Sequence, residues 1–380
     1  MNIIIDGRPW TATSAGIASF LRGCLIAWAT ASPADRFIVV LPRRVHPSVS
    51  LTDLPSNVSL VIHTLPLLYW LPNLVWLHTF VPFLVRKYRG NLYFSALPSL
   101  PFGLPRRVRK VIVVHDVVNI EYRDTMQWTN RLANVFFGNA LKHADIVWTN
   151  SYYTRSRLQA LFPRLMTGKP VFTGCAVDRK TFHRLSLSAD EQLILRKKHD
   201  LPPHFILFVG SLEPRKNLSL LLRIMPAIYQ TTGRELVVVG GKGWKNNDIS
   251  RQIQANDALK SCTRFCGYVT DEDLSALYNM ADCFVSTSLN EGFGMPQLEA
   301  LLCGCPIITA NNSGMREVAE GNPGATLVES YEPKAWYEAI KAALRQRQRV
   351  ALEPLKAYNW KLVLSQFIQQ HLHHETRNRL

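Results

Sequence analysis

Phe205-Ile206-Leu207-Phe208-Val209-Gly210-Ser211-Leu212-Glu213-Pro214-Arg215-Lys216-Asn217 is the stretch that decides the fold. Five apolar residues without a charge read as a strand buried on both faces, and Gly210-Ser211 ends it. A helical run begins near Leu218, with Asn217 as its expected N-cap. Strand, short loop and helix make one βα unit, and the pattern recurs in both directions along the chain. Downstream, residues 235–239 end at Gly240-Gly241, and 264–266, 283–286 and 306–309 are further short apolar runs. Upstream, residues 2–5, 37–41, 58–62, 91–94, 110–114 and 146–149 read the same way, with helical runs over 17–29 and 126–142. The less regular segment 173–201 separates the two series. This alternation predicts an α/β protein with two doubly wound, Rossmann-like domains in series. The expected division is 1–180, 181–360 and a terminal helical segment 361–380. Ligands of such sheets sit at the carboxyl ends of the strands, here expected in the cleft between domains.

The bulk properties fit this reading. The chain has 380 residues, of which 47% are hydrophobic and 19% charged, which excludes a disordered or collagen-like protein. Lys and Arg number 44 against 28 Asp and Glu, a formal charge of +16. Such an excess calls for an anionic partner: nucleic acid, an acidic membrane surface or a phosphorylated substrate. No zinc finger, aromatic RNA-binding pair or recognition-helix pattern is present, so nucleic acid is not the expected partner. Seven cysteines without a CxxC pair read as buried free thiols of a reducing compartment. The N-terminus meets Asp6 after a few apolar residues, and no signal peptide is readable.

No Asp, Glu, Lys or Arg lies between Asp53 and Arg86. Pro66, Pro72 and Pro82, together with His63, Asn73 and His78, break that stretch, so two short helices fit better than a membrane span. Core packing and interfacial insertion of residues 67–84 both remain open. Tyr69, Trp70 and Trp76 suit a headgroup layer, and Arg86-Lys87-Tyr88-Arg89 follows at once.

Three constellations carry chemistry. Asn290-Glu291-Gly292-Phe293-Gly294-Met295-Pro296-Gln297-Leu298-Glu299 brackets a glycine-rich loop with two acids, and Pro296 opens a helix. The loop glycines allow close backbone approach to an anion, and Glu299, expected in the first helical turn, can reach ribose-like hydroxyls or merely cap the helix. Arg215 and Lys216 place two cations at a strand's carboxyl end beside a helix N-terminus, which suits a phosphate. The pattern is not a Walker loop, since GxxxxGK[ST] is absent. His115-Asp116 follows strand 110–114, where a His can bond a sugar hydroxyl or move a proton, or serve structure alone. Asp271-Glu272-Asp273 fits a D-x-D metal pattern, but its place at the start of a helical run favours capping.

These signals together resemble the family 4 glycosyltransferases of the GT-B fold, in which two Rossmann-like domains face each other across a cleft. Glu291 and Glu299 look like the E-x7-E signature, and Gly210-Ser211-Leu212 with Arg215-Lys216-Asn217 is similar to the donor-phosphate motif. Val114-His115-Asp116 and Thr149-Asn150-Ser151 match positions in the first domain. The resemblance implies a retaining, metal-independent transfer of a hexose from a nucleotide-sugar, with no cofactor. By it Gly210, Arg215 and Lys216 serve the donor diphosphate, approached by Gly16 from the other domain. Glu299 holds the ribose, Glu291 with Gly292, Phe293 and Gly294 lies at the donor sugar, His115 contacts the transferred sugar and Tyr268 grips the base.

Two departures stand out. The loop Ala12-Thr13-Ser14-Ala15-Gly16-Ile17 has one glycine rather than a pair, and Met315-Arg316 precede Glu317 where relatives often carry a proline. In relatives the last helix crosses back to the first domain, as 360–371 would here. The run Glu213-Pro214-Arg215-Lys216-Asn217 and the His-Asp pair are most similar to GDP-mannose-dependent mannosyltransferases of bacterial surface polysaccharide assembly. UDP-hexose donors are the alternative, and a non-catalytic GT-B scaffold subunit is the rival of another class. Arg43, Arg44, Arg86, Lys87, Arg89, Arg106, Arg107, Arg109 and Lys110 fall in the half that holds the acceptor. They point to a lipid-linked glycan acceptor on an anionic membrane surface, with the protein cytoplasmic and peripheral on the inner face of the cytoplasmic membrane. The oligomeric state is not readable.

Overall fold

The computed structural model describes residues 1–11, 15–62, 73–117, 120, 129–241, 251, 253, 256–346 and 349–372, without the side chains of 15 and 129–135. The chain divides into two compact units, Met1–Ala176 with Ala357–Leu380, and Val177–Lys356.

The first unit is built on a parallel sheet of β1 (Asn2–Asp6), β2 (Arg36–Leu41), β3 (Val58–Ile62), β4 (Leu92–Ser95), β5 (Arg109–Val114), β6 (Ile146–Thr149) and β7 (Val171–Thr173). Their order is β3-β2-β1-β4-β5-β6-β7. One face meets the Asn73–Lys87 helix, where Trp76, Leu77, Val81, Leu84 and Val85 pack with Ile4, Ile38, Ile112 and Val147. The Ala15–Ala31 helix carries Trp28, whose ring meets Phe37, Phe94 and Phe367 edge-on at 5.5–5.6 Å. The Trp360–His371 helix lies on Ala15–Ala31, with the Trp360 indole seated on Gly23, where a Cβ would come within 2.2 Å of Nε1.

The second unit holds β8 (Phe205–Val209), β9 (Glu235–Val239), β10 (Thr263–Gly267), β11 (Cys283–Ser286), β12 (Ile307–Ala310) and β13 (Ala325–Val328), in the order β10-β9-β8-β11-β12-β13, all parallel. Strand order reverses between β8 and β11, so their carboxyl ends flank the crevice where open α/β sheets bind ligands. The Leu218–Thr232 helix buries Leu218, Leu221, Leu222 and Met225 against Ile206, Phe208, Val238 and Val285.

Both units have the expected Rossmann-like form, but several local readings need correction. Strands β7 and β13 add to the expected set; both are edge strands, half-buried for most of their length, and lack the unbroken buried run of the central ones. The segment 173–201 contains the Ala189–His199 helix, whose ends are set by a Ser188–Glu191 capping box and left-handed Asp200. That helix has no buried residue, so it shows no apolar period. Within 73–87 a single helix runs through Pro82 rather than breaking there, and Pro82 lies buried in its core-facing stripe. Trp76 belongs to the core, so of the two open readings core packing holds for this residue. Tyr69 and Trp70 lie outside the described residues. No helix among the described residues is long and apolar enough to cross a membrane. The seven cysteines are free, six buried and Cys266 half-buried.

Candidate active site

The loop after β8 turns once through a 3-10 helix, Pro214–Lys216, and enters the Leu218–Thr232 helix at Asn217. Asn217 is the N-cap residue, but its backbone is left-handed at φ 50° and its side chain makes no capping bond. The loop is held instead from β11. Buried Thr287 donates its hydroxyl to the carbonyls of Lys216 at 3.0 Å and Asn217 at 2.9 Å. Leu289 N–H donates to the Arg215 carbonyl at 2.8 Å. These bonds bring the two cations to the strand order's reversal point.

Both cations close on Glu291. Lys216 Nζ bonds Oε1, and Arg215 Nη1 reaches Oε2 at 2.8 Å while also donating to the Asn290 carbonyl at 2.9 Å. Ser288 Oγ adds a third donor at 2.7 Å. Burial alone would raise the Glu291 carboxyl, but Lys216 and then Arg215 outweigh it and hold the group at about 2.

Glu299 has the opposite fate. It is the fifth residue of the Met295–Leu302 helix and so lies in the second turn, not the first. The helix starts one residue earlier than expected because Gly294, at φ 112°, is its N-cap, which makes Pro296 its second residue. Burial and then the charge of Asp271 push the carboxyl up to about 8, against the opposing effects of Tyr278 and Lys216. Tyr278 donates to Oε2 at 3.2 Å from a fully buried ring wedged between Phe182 and Phe284. The two carboxyls are thus pushed in opposite directions, a division of the kind that separates acid–base and binding roles.

The other expected residues are distributed as follows. Gly292, Phe293 and Gly294 form the turn between the two acids; Phe293 is buried, so this turn presents backbone. Gly210 bonds the Val239 carbonyl through its N–H at 2.9 Å, placing it between the ends of β8 and β9. Tyr268 follows β10 and is exposed, two strands over from β8. In the first unit, Gly16 is the second residue of the Ala15–Ala31 helix and exposed. Ala12, Thr13 and Ser14 lie outside the described residues.

His115 follows β5 with Nε2 3.0 Å from the Ala96 carbonyl and its ring edge-on to Phe20 at 4.8 Å. A carbonyl accepts only, so Nε2 carries the proton in that bond. Burial lowers the His115 pKa against Ala96 and Asp116, which leaves a neutral ring with Nδ1 as an acceptor. Glu317 lies half-buried in the Ser313–Ala319 helix.

The D-x-D pattern caps a helix. Thr270 Oγ1 accepts from Asp273 N–H at 3.2 Å, and Asp273 Oδ2 takes Lys198 at 2.7 Å and His199 at 2.9 Å. The described residues hold no group of three or more His, Cys, Asp or Glu placed for a metal ion. Sequence reasoning missed Ser288, Thr287 and Tyr278. Each is an ordinary polar residue whose partner lies elsewhere in the chain, and only the Ser-Thr-Ser run after β11 hinted at a polar site.

Residues 191–356 match the family model described as Glycosyl transferases group 1. Over 309 residues the chain is 28% identical to the O-antigen chain mannosyltransferase B of Escherichia coli, covering 75% of this chain and 74% of that protein. A stretch of 140 residues is 35% identical to the serotype-specific mannosyltransferase WbdA of Escherichia coli, which is 36% of this chain and 17% of WbdA. Sucrose-phosphate synthase from Thermosynechococcus elongatus superimposes with a TM-score of 0.70 at 18% identity, over 99% of this chain and 96% of that one. WaaG, a glycosyltransferase involved in lipopolysaccharide biosynthesis, gives 0.66 at 15% identity over 100% and 98%. These structural matches establish the architecture as GT-B.

Proposed function

We propose that this glycosyltransferase, a GT-B chain carrying a Glycosyl transferases group 1 domain, moves a mannosyl residue from GDP-mannose to a lipid-linked glycan in surface-polysaccharide assembly, with retention and without a metal. The observation that carries the reading is the convergence of Arg215 and Lys216 on one half-buried anionic group, Glu291, at the carboxyl ends of β8 and β11. Two cations so placed suit a sugar-nucleotide diphosphate and would neutralise it as it leaves. Charge stabilised as it develops lowers the barrier directly. The sugar C1–O bond to the diphosphate breaks, the acceptor oxygen bonds C1 on the same face, and the acceptor's proton departs with the diphosphate. Asp273, bound to Lys198 and His199, is already committed to structure, and the cations supply what a divalent ion would. Similarity to the Escherichia coli O-antigen mannosyltransferases supports mannose as the sugar and a glycan as the acceptor.

A membrane location fits the Asn73–Lys87 helix. Leu74, Val75 and Phe83 are exposed along it, Arg86 and Lys87 are exposed at its end, and exposed Phe102 stacks on His78 at 4.1 Å. Apolar residues flanked by cations suit the inner, anionic face of a cytoplasmic membrane.

The test is thermal stabilisation by GDP-mannose, GDP, UDP-glucose, UDP-galactose, UDP-GlcNAc and UDP, with and without EDTA. A site filled at 100 Kd adds roughly 2.7 kcal/mol. The expected result is a shift with GDP compounds only, unchanged by EDTA and lost in Arg215→Ala. A shift with UDP compounds would replace the donor. No shift with any nucleotide would bring the non-catalytic scaffold forward.

A further inference from the structure

Glu291 is held by more than its ion pairs. Its N–H donates to Ser313 Oγ at 3.1 Å and its carbonyl accepts from Gly314 N–H at 3.0 Å. Ser313 has φ 51°, a left-handed conformation costing a non-glycine residue roughly 1–2 kcal/mol, so its surroundings impose it. From Ser313 the bonds run outward. Its Oγ donates to Asn312 Oδ1 at 2.9 Å. Asn312 Nδ2 donates to the Leu289 carbonyl at 3.1 Å and to Tyr331 Oη at 2.5 Å. Tyr331 Oη donates in turn to the Ser288 carbonyl at 2.7 Å. Donors and acceptors alternate consistently along this chain. Gly314 closes it sterically, because a Cβ there would lie 2.3 Å from the Gly292 carbonyl oxygen.

We infer that Tyr331 and Ser313, linked to each other by Asn312, are positioning residues that act through Glu291, holding the backbone of 288–291 where the Glu291 carboxylate meets Lys216 and Arg215. The inference rests on the proposed transfer reaction for its activity readout. Neither residue needs to touch substrate. Tyr331 lies three residues beyond β13, on the far side of β12 from β11, so the edge of the sheet braces its centre. The cation loop keeps its support from Thr287, which lies outside the braced residues, when Tyr331 is altered. Loss of the brace should therefore change turnover more than donor affinity.

The variants are Tyr331→Phe, which keeps the ring, and Ser313→Gly, which accommodates the left-handed backbone and removes the Cβ with its hydroxyl. Tyr337→Phe is the control, since its hydroxyl bonds Thr231, away from this network. Each positioning variant is expected to lower kcat about tenfold, in line with one or two lost hydrogen bonds, while donor KM stays within about threefold. In a Glu291→Gln background Tyr331→Phe should cost less than about twofold, because the group it positions is gone. Equal loss in both backgrounds, or no loss in either, overturns the inference. Amide hydrogen exchange over 287–294 decides the matter independently of activity. It should accelerate in Tyr331→Phe and not in Tyr337→Phe, and unchanged exchange overturns the inference even in an active enzyme. If no donor turns over but exchange accelerates, the function reading fails and the brace stands.

Discussion

The carboxylate of Glu291 closes on the ammonium of Lys216, 75 positions earlier in the chain, while its other oxygen takes Arg215 at 2.8 Å. The protein thus carries its own anion on the two cations that a diphosphate would use. Removing that anion should have two opposite effects. Glu291→Gln is expected to tighten GDP binding about tenfold by calorimetry, because a competing charge is lost, and to cut turnover by about a hundredfold. Equal or weaker GDP binding would show that the carboxylate does not compete.

The same pair sets an acid limit on stability. Glu291 is ionised in the fold down to about 2, well below the usual carboxyl range. Its stabilising contribution is complete above the unfolded carboxyl pKa and is lost as pH falls through the folded value. The stability gap between parent and Glu291→Gln, read from denaturant midpoints, should therefore be widest near neutrality and narrow towards pH 2.

Glu299 predicts the reverse slope. With its folded pKa pushed up to about 8, the half-buried carboxyl stays protonated at pH values where the unfolded chain has already released its proton. The parent should lose stability as pH rises from the usual carboxyl range, near 4.5, to about 8, at roughly 1 kcal/mol per unit. Glu299→Gln, which keeps the Tyr278 geometry without a titrating group, should flatten that part of the profile. A slope that survives the substitution would assign it to other residues.

The exposed side of the Asn73–Lys87 helix makes a prediction about location. Vesicles containing phosphatidylglycerol should sediment the protein at low salt, and vesicles of phosphatidylcholine alone should not. Phe83→Ser with Lys87→Glu should weaken that binding about tenfold, since one exposed aromatic and one juxtamembrane cation are lost. Equal binding by the double variant would remove this helix from the membrane reading.

Much of the fold was legible in the residues. Runs such as Phe205 to Val209 and Glu235 to Val239 are apolar because parallel strands are covered on both faces, so their limits coincide with the strands. The Trp360–His371 helix and the helix start at Asp271-Glu272-Asp273 were equally plain. The Ala189–His199 helix was not, because it buries nothing and is specified by its caps alone. Strands β7 and β13 were not, because they lie at the sheet edges, half-buried, without the continuous apolar run of a strand covered on both faces.

For the site, the sequence by itself determined which residue types gather at the strand ends: two cations after β8, and a glycine loop between two acids after β11. Local chain geometry suffices for that, since a strand that ends in a loop delivers its next residues to one edge of the sheet. The tertiary structure decided what those residues do to one another. It set Glu291 against Lys216 and Arg215, and it buried Glu299 near the charge of Asp271, so two similar carboxyls are driven apart to about 2 and about 8. It also brought Tyr331 and Ser313 to the loop that carries Glu291. Such effects depend on burial and on partners distant in the chain, and strand order alone makes those neighbours.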